Sequence, residues 1–407
     1  MKKVNDAVSR TPEKETHRNV SFLLPVPPDR SGFVNQANLI EEIAKLGDVN
    51  LTIFTDTENP NKLGGNRIIS IERGVRFPFD LLRKIRDEKI DLININYFYG
   101  LYGYGRYTNV NFASSAFNLL LCEILLRILG IKVVITMHSV VSDISKESAL
   151  NEFRRAGYLN RIIRLFNGSL VRLANAVIVF SDFQKKALTS EDFSNRVHVI
   201  PYGFKEIEIK MIPHAKFTFL FFGFIRRNKG LLDLLGAFEL LSKRYSEIKL
   251  IVIGHADQSI HQSRDDYATI AISRISKLKE SLDITEFIGW ADWDSILQSL
   301  AVSDVVVLPY TDSSNEISGV VADLSGAGIP LICSDTPRFR SMLRDESEAL
   351  FFKPGNIVDL AAAMERMINE KELRDRLSRN LLSLANRLSW HNIGIMYDTL
   401  LNSLLSC

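Results

Sequence analysis

Three cations crowd one short loop in the second half of the chain. The segment FFGFIRRNKG (221–230) places Arg226, Arg227 and Lys229 between two glycines, directly after an apolar run. The apolar run predicts a buried strand, and a helix should begin near Lys229 or Gly230. A phosphate at this point would gain from the cations and from the amides of the helix start. The loop therefore predicts a phosphate site, although a solvated strand-to-helix turn would have a similar composition.

A second segment with the same design is DVVVLPYTDSSNEISGVVADLSGAGIPLICSDTP (304–337). After its buried strand, Asn315, Glu316 and Ser318 can cap a helix and leave amides at the helix start for an anion. Asp323 follows one or two turns later, where it could reach a pair of hydroxyls such as those of a ribose. A plain helix cap with a solvated Asp323 is the alternative. Both segments follow strands in the same half of the chain, so together they favour one nucleotide-binding cleft.

The elements that must position these loops are short apolar runs that alternate with helical patterns. Most runs have four to seven residues of Val, Ile, Leu and Phe without polar alternation, which is typical of parallel strands covered by helices on both faces. We therefore predict an α/β fold with doubly wound parallel sheets. The predicted strands are VSFLLPV, VNLTIFT, DLININY, KVVITMH, AVIVFS, VHVIPY, FTFLFFG, IKLIVIG, TEFIGW, DVVVLPY and PLICSD.

The predicted strands fall into two groups, separated by the polar segment GFKEIEIKMIPHAKF (203–217). This predicts two Rossmann-like domains with a ligand cleft between them, lined by the carboxyl ends of the strands. The predicted divisions are a disordered tail at 1–18, an N-terminal acceptor-side domain at 19–203, a C-terminal domain at 204–387 and a last helix at 388–407.

The composition argues against several other classes of protein. The 407 residues carry 50 Lys and Arg against 48 Asp and Glu, and this net charge of +2 gives no argument for nucleic acid. The three cysteines form no disulfide or zinc pattern, which favours a reducing cytosol. The histidines show no metal-ligand spacing, so we predict no essential metal. The apolar stretch 116–137 is interrupted by Glu123, Arg127 and Lys132, which predicts a buried helix and a core strand rather than a membrane span.

The ordered set of segments resembles the retaining glycosyltransferases of the GT-B fold, in the group numbered family 4 that uses nucleotide-sugars. The resemblance runs from about Asn19 to about Leu405. The matching segments are PVPPDRSGFVNQANLIEEIAKLGDVNLTIFT, VVITMHS, AVIVFSDFQKKAL, VHVIPYGF, FFGFIRRNKG, LIVIGHA, the block from Pro309 to Pro330, and LSWHNIGIMYDTLL. The resemblance implies that residues 204–387 bind the nucleotide-sugar and that the last helix crosses back to the N-terminal domain.

In this family an Arg and a Lys in the loop after the first strand of the C-terminal domain bind the donor diphosphate. Lys229 matches the Lys. Phe224 stands where the Arg usually lies, so the resemblance implies that Arg226 is its substitute. Arg227 is then left as a solvated cation.

The family's paired acids are two Glu separated by seven residues, and they fall on Asn315 and Asp323, with Glu316 one place after the first. The pattern is thus N-E-x6-D, which leaves open which residue contacts the donor sugar. The resemblance implies that Asp323 holds the ribose hydroxyls. It also implies that amides at the helix start cradle the diphosphate, namely those of Ser318, Gly319, Val320 and Val321.

Two residues of the N-terminal half complete the implied donor site. Gly32 would let the N-terminal loop approach the sugar, and His138 matches a His near the donor sugar and the reaction centre. A lone His after a strand is often a structural residue, so that alternative stays open.

The implied reaction needs no cofactor and no protein nucleophile. As the nucleoside diphosphate departs, negative charge grows on its β-phosphate, where Arg226, Lys229 and the helix amides would stabilise it. The acceptor hydroxyl would attack from the same face and give its proton to the leaving phosphate oxygen. The product would be an α-glycosidic bond.

The sequence signals for the acceptor site are less specific than those for the donor site. The loop YFYGLYGYGRY (97–107) offers flat aromatic faces on which sugars stack, although a packed aromatic loop has the same composition. Residues 153–176 predict a basic amphipathic helix that could dock on anionic lipid or simply present a solvated face. We expect a cytoplasmic protein, peripheral on the inner face of the membrane if this helix docks. The acceptor candidates in the aromatic loop are Tyr97, Tyr99, Tyr102 and Tyr104.

Two other functions fit the same sequence. A sugar-nucleotide epimerase of GT-B architecture would release product without any acceptor. A non-catalytic subunit that binds nucleotide-sugar or glycan is suggested by the departures at Asn315 and Asp323.

Overall fold

The computed structural model describes residues 18–24, 36–47, 49–56, 63, 65–72, 76–97, 109–140, 157–188, 195–255, 266–289, 291–312 and 316–406, with the backbone alone at 109–115, 157–160 and 288. These residues form two parallel sheets covered by helices. The predicted α/β class is confirmed.

The first sheet contains seven parallel strands in the described part of the chain. They are β1 Arg18–Leu23, β2 Val49–Thr55, β3 Arg67–Ser70, β4 Leu92–Tyr97, β5 Lys132–Met137, β6 Ala176–Val179 and β7 Val197–Val199. Their order across the sheet is β3-β2-β1-β4-β5-β6-β7. The helices of this half are α1 Gln36–Leu46, α2 Phe77–Asp87, α3 Asn109–Ile128, α4 Gly157–Leu173 and α5 Asp182–Leu188.

The second sheet has six strands within the described residues. They are β8 Phe217–Phe224, β9 Ile248–His255, β10 Ile284–Ile288, β11 Val305–Leu308, β12 Leu331–Ser334 and β13 Ala349–Phe352, in the order β10-β9-β8-β11-β12-β13. The helices are α6 Leu231–Ser242, α7 Tyr267–Leu278, α8 Trp293–Ala301, α9 Gly319–Leu324, α10 Pro337–Arg340, α11 Ile357–Asn369, α12 Lys371–Arg387 and α13 Trp390–Ser406.

Two observed strands are absent from the sequence prediction, β3 (RIIS) and β13 (ALFF). Each has four residues and lies at the edge of its sheet. RIIS has only two apolar residues and is partly exposed, a pattern that a loop can also show. ALFF is apolar throughout, like the predicted strand AVIV. The central strands are buried on both faces, and a continuous apolar run such as AVIV was detected for that reason despite its four residues.

The helices around the first sheet belong to two different apolar clusters. The side chains of α2, α3, α4 and α5 pack with the sheet in one apolar cluster, which includes Leu81, Leu126 and Leu170. The helices α1 and α13 belong to another cluster, which continues into the second sheet. The layer α2–α5 therefore has the sheet on one side and faces outward on the other.

The apolar stretch 116–137 divides into α3 and β5, as the sequence predicted, with Gly130 at a positive φ of 74° between them. Among the residues that the structure describes, no helix is long and apolar enough to span a bilayer.

The chain passes between the sheets at Gly203 and Phe204. Gly203 has no room for a side chain, because an added Cβ would lie 2.2 Å from the ring of Trp390. The amide of Phe204 donates to the carbonyl of Leu388 at 2.7 Å, and the amide of Lys205 donates to the carbonyl of Ala322 at 2.8 Å. The crossing is thus hydrogen-bonded to the second half of the chain.

The last helix packs against the first. Gly394 of α13 lies so close to α1 that an added Cβ would be 3.0 Å from the Cβ of Glu42. Glu42 also contacts His391, with 3.1 Å between Oε2 and Nδ1. Arg18 donates to Oδ1 of Asn402 at 3.3 Å. The helix α13 therefore connects the C-terminal half to the first sheet.

Candidate active site

The two loops singled out in the sequence are hydrogen-bonded to each other. The amide of Thr311 donates to the carbonyl of Asn228 at 3.0 Å, and Nδ2 of Asn228 donates to Oδ2 of Asp312 at 2.7 Å. Gly230 has a positive φ of 67°, and a Cβ added there would be 1.8 Å from the carbonyl oxygen of Pro309. Only glycine allows this approach, so the loops after β8 (225–230) and β11 (309–312 and 316–318) form one unit, which we call the phosphate unit after the site that the sequence predicts there.

Lys229 lies at the centre of this unit, at the end of a short 3-10 helix, Arg227–Lys229. Its Nζ is 3.7 Å from the centroid of the Tyr310 ring, which is a cation–π contact. Burial, and then the positive charge of Arg338, lower the pKa of Lys229 to about 7. An ammonium that has lost this much solvation favours any ligand that brings negative charge.

Arg338, at the second position of α10, was not predicted from the sequence. It is buried, and its Nη2 donates to Oδ1 of Asp312 at 3.2 Å and to Oε2 of Glu316 at 3.0 Å. Its Nη1 donates to the carbonyl of Ile317 at 3.3 Å. Burial disfavours the charge of Arg338, but Glu316 and Asp312 outweigh that effect and raise its pKa. No sequence pattern marks Arg338 as a site residue, because Thr-Pro-Arg resembles the first turn of any helix.

The other two cations of the loop point to different partners. The guanidinium carbon of Arg226 lies 4.8 Å from the centroid of the Phe224 ring. That of Arg227 lies 5.5 Å from the centroid of Tyr267, and Arg227 is exposed. Phe224, which occupies the usual place of the family's Arg, thus supports Arg226 by stacking.

Ser318 caps α9, as the sequence predicted for the helix start. Its Oγ accepts from the amide of Val321 at 3.4 Å, and its own amide donates to Sδ of Met342 at 3.4 Å. Two of the four predicted amides therefore have acceptors within the protein. Gly319 borders open space, since nothing lies within 4 Å of a Cβ added there. The amides of Gly319 and Val320 are the better candidates for an anion.

Asp323 is half-buried on α9 and interacts with Lys205. Burial lowers the pKa of Lys205, and the charge of Asp323 opposes that effect. The Nζ of Lys205 also lies 3.3 Å from the centroid of a Trp293 ring. Asp323 therefore lies near Lys205 of the chain crossing, on the helix that follows the phosphate unit.

His138 lies directly after β5 and is buried. Its Nε2 is 3.0 Å from Oδ1 of Asn96, and since an amide oxygen only accepts, Nε2 carries the proton. Nδ2 of Asn96 donates to Oδ1 of Asn94 at 3.3 Å, which fixes this orientation. Burial lowers the pKa of His138 to about 3. His138 is therefore a neutral hydrogen-bonding group and not an acid at physiological pH.

This buried polar network continues to the last helix. Oγ1 of Thr136 donates to Oδ1 of Asn94 at 3.0 Å and lies 3.5 Å from the hydroxyl of Tyr397 on α13. A row of aromatic rings runs from His138 through Phe180 and Tyr202 to Trp390, with centroids 5.0–5.2 Å apart. Both routes connect His138 to α13.

Tyr97 differs from its predicted acceptor role. Its ring is fully buried at the end of β4 and packs against Phe166 of α4, with 6.0 Å between centroids. A side chain in the core presents no face to a sugar, so Tyr97 is corrected to a core residue. The other predicted site residues lie outside the described part of the chain: Gly32, Tyr99, Tyr102, Tyr104 and Asn315.

Two family models match consecutive parts of the chain. The model for Glycosyl transferases group 1 matches residues 204–382, and that for Glycosyltransferase Family 4 matches residues 37–205. The chain belongs to this glycosyltransferase family. The resemblance seen in the ordered segments is confirmed, and the protein is an enzyme of sugar transfer.

Relatives of this glycosyltransferase are distant in sequence. It is 23% identical over 273 residues to alpha-D-kanosaminyltransferase of Streptomyces kanamyceticus, over 63% of this chain and 67% of that protein. It is 25% identical over 197 residues to phosphatidyl-myo-inositol mannosyltransferase of Mycobacterium leprae, over 47% of this chain and 49% of that protein, about half its length.

The fold of the glycosyltransferase also matches a solved structure. The crystal structure of Anabaena HepE in complex with UDP-glucose aligns with a TM-score of 0.68 at 16% identity, over 95% of this chain and 100% of that one. At this identity the likeness shows the shared GT-B fold.

Proposed function

We propose that this glycosyltransferase is a retaining hexosyltransferase that uses a nucleoside-diphosphate sugar. It would move the sugar to a hydroxyl of a glycan, polysaccharide or lipid-linked acceptor and form an α-glycosidic bond. The observation that carries the proposal is the environment of Lys229.

Lys229 is a desolvated cation whose neighbouring carboxylates are already engaged. Arg338 holds both Asp312 and Glu316, and its charge helps to lower the pKa of Lys229. A ligand with two or more negative charges would restore the charge of Lys229 and add attraction to Arg226. A diphosphate meets this requirement, and its oxygens can also accept from the amides of Gly319 and Val320.

The contacts to the ribose and to the donor sugar are assigned from the positions of two carboxylates. Asp323, half-buried beside the phosphate unit, is assigned to the ribose hydroxyls. Glu316 is partly exposed, with its carboxylate oriented by Arg338, and is assigned to a hydroxyl of the donor sugar. Two relatives support a hexosyl group, since their names specify a kanosaminyl and a mannosyl transferase. The fold neighbour that binds UDP-glucose supports a nucleotide-sugar donor.

The chemistry would be charge stabilisation without a protein nucleophile. Lys229, Arg226 and the amides of α9 would stabilise the charge that grows on the β-phosphate, and removal of one such group costs roughly 100- to 1000-fold in rate. His138, with its pKa near 3, is neutral and would hydrogen-bond the sugar without moving a proton. The proton of the acceptor would pass to the leaving phosphate oxygen.

We propose that transfer needs no metal ion. In metal-dependent sugar transfer, carboxylates hold a divalent cation against the diphosphate. Here the two carboxylates of the phosphate unit, Asp312 and Glu316, bind Arg338 instead. The cations Lys229 and Arg226 would take the place of the metal.

Residues 153–176 are assigned to peripheral contact with a membrane, where a lipid-linked acceptor would lie. The described part of this segment contains α4 and three exposed arginines, Arg161, Arg164 and Arg172.

The experiment begins with a thermal-shift screen of UDP, GDP, ADP and their sugars, because a ligand that binds the folded state raises the melting temperature. The winning donor is then incubated with a panel of glycan and lipid-linked acceptors, and the product is analysed by NMR. We expect an α-anomeric product and an equal amount of nucleoside diphosphate, both dependent on the acceptor. A rearranged nucleotide-sugar without acceptor, a β-linked product, or donor binding without turnover would contradict the proposal.

A further inference from the structure

Large exposed apolar side chains concentrate on the outer surface of the α2–α5 layer. Of the sixteen such residues in the described part of the chain, seven belong to these helices and an eighth, Leu129, directly follows α3. Ile128 is 74% exposed, Leu165 65%, Phe117 63% and Phe79 60%. The others are Ile124, Leu129, Ile162 and Phe183. Single exposed apolar residues are ordinary, but a concentration of this kind marks an interaction surface.

The same layer is strongly basic. The helices α2, α3, α4 and α5 carry nine basic residues and four acidic ones, although the whole chain is balanced at +2. One of the acids, Glu123, is buried and its pKa is raised by that burial. The basic residues are Arg83, Lys84, Arg86, Arg127, Arg161, Arg164, Arg172, Lys185 and Lys186.

The four helices of the layer form a continuous surface. The four helices lie side by side on one face of the first sheet, and each contacts the next. Between α2 and α3 the surface has a shallow groove of about 400 Å³, whose lining includes Phe79, Arg86, Leu125 and Ile128. Apolar and basic side chains therefore line the same groove.

We propose that the α2–α5 layer docks on a bilayer that contains anionic phospholipid. Phe79, Phe117, Ile128 and Leu165 would enter the boundary between headgroups and acyl chains, and the arginines would remain at the phosphates. This proposal extends the membrane contact proposed for residues 153–176 and rests on that part of the proposed function. Vesicle binding and sugar transfer are measured separately, so either can fail alone.

Charge and composition favour lipid over a protein partner. A protein interface is enriched in Tyr and Trp and depleted of Lys at its core. The exposed residues of this layer are Ile, Leu and Phe among Arg and Lys, the composition of helices that lie in a membrane interface. The positive charge is complementary to the negative surface of an anionic leaflet.

The test is co-sedimentation of the full chain with vesicles of phosphatidylcholine alone, or of phosphatidylcholine and phosphatidylglycerol in equal parts. One variant removes charge (Arg161→Gln with Arg164→Gln) and another removes apolar area (Phe117→Ser, Ile128→Ser and Leu165→Ser). Matched controls lie on exposed helix positions of the second half: Lys243→Gln with Lys277→Gln, and Ile270→Ser with Val358→Ser. Melting temperatures establish that each variant is folded, and light scattering gives its oligomeric state.

We expect the wild-type chain to bind the anionic vesicles and not the neutral ones, with binding weakened by salt. Each basic residue near an anionic surface contributes about 1 kcal/mol, a factor of about five, so the double arginine variant should bind about 25-fold more weakly. The apolar variant should lose at least as much, and both controls should bind like the wild type. Equal binding of layer variants and controls would overturn the proposal. The proposal would also be overturned if the wild-type chain did not bind vesicles. This includes the case in which the layer is a dimer interface, so that the apolar variant converts a dimer into a monomer.

Discussion

Replacement of Arg338 by Met tests the charge arrangement of the phosphate unit. The side chain of Arg338 is 6% exposed, and that of its partner Asp312 is 5% exposed. Arg338→Met would leave two carboxylates, Asp312 and Glu316, without the cation that faces them. Removal of one partner of a buried ion pair typically costs about 3–5 kcal/mol, and we expect a loss of unfolding free energy in this range. The donor should also bind more weakly, because the two freed carboxylates would then pair with the charge of Lys229.

The assay is urea unfolding, with Arg340→Met as the matched control. Arg340 lies on the same short helix and contacts Asp335 at 2.6 Å, but these side chains are 36% and 48% exposed. Exposed pairs contribute about 0–1 kcal/mol, so the control should unfold almost like the wild type. Adding Asp312→Asn to Arg338→Met should recover part of the loss. If Arg338→Met costs no more than the control, the ion cluster does not organise the site.

Other changes give equally direct outcomes. Lys229 has a lowered pKa of about 7 that a bound diphosphate would raise, so donor binding should take up a proton above pH 7. Donor affinity should then fall by up to about tenfold per unit of rising pH, and calorimetry in buffers of different ionisation enthalpy should detect the proton; Lys229→Arg should flatten the slope. Gly230→Ala should destabilise the protein by about 1–3 kcal/mol in urea unfolding, because its Cβ would meet the carbonyl of Pro309, whereas Gly319→Ala should change stability by less than about 0.5 kcal/mol. Saturating EDTA should leave transfer unchanged; a loss that Mn²⁺ restores would refute the metal-free site.

Much of the fold was predictable because its central strands are buried on both faces. Runs such as AVIV and VVVL are continuous in apolar residues, and they were placed correctly. The edge strands RIIS and ALFF were missed. RIIS has only two apolar residues and is partly exposed, a pattern that a loop can also show, whereas ALFF is apolar and buried like AVIV and carries the same signal as the predicted strands.

The candidate site was predictable only where a local pattern marked it. Arg226, Lys229 and Ser318 were assigned to the candidate site from glycines, cations and a helix cap near strand ends. Arg338 was not found, because its partner Asp312 is 26 residues away and only the fold brings them together. Tyr97 was assigned to the acceptor from its aromatic neighbours, but it is the last residue of β4, which is buried on both faces, so its ring lies in the core.

The measurement that tests the central claim most directly is transfer by Lys229→Ala compared with Arg227→Ala. Both variants remove one cation from the same loop, but the side chain of Lys229 packs on Tyr310 between the two loops, whereas that of Arg227 is exposed over Tyr267. We predict that Lys229→Ala lowers kcat/KM by roughly 100- to 1000-fold at an unchanged melting temperature, and that Arg227→Ala remains within a few-fold of the wild type. Near-normal transfer by Lys229→Ala, or equal losses in the two variants, would contradict the assignment of this loop to the donor diphosphate.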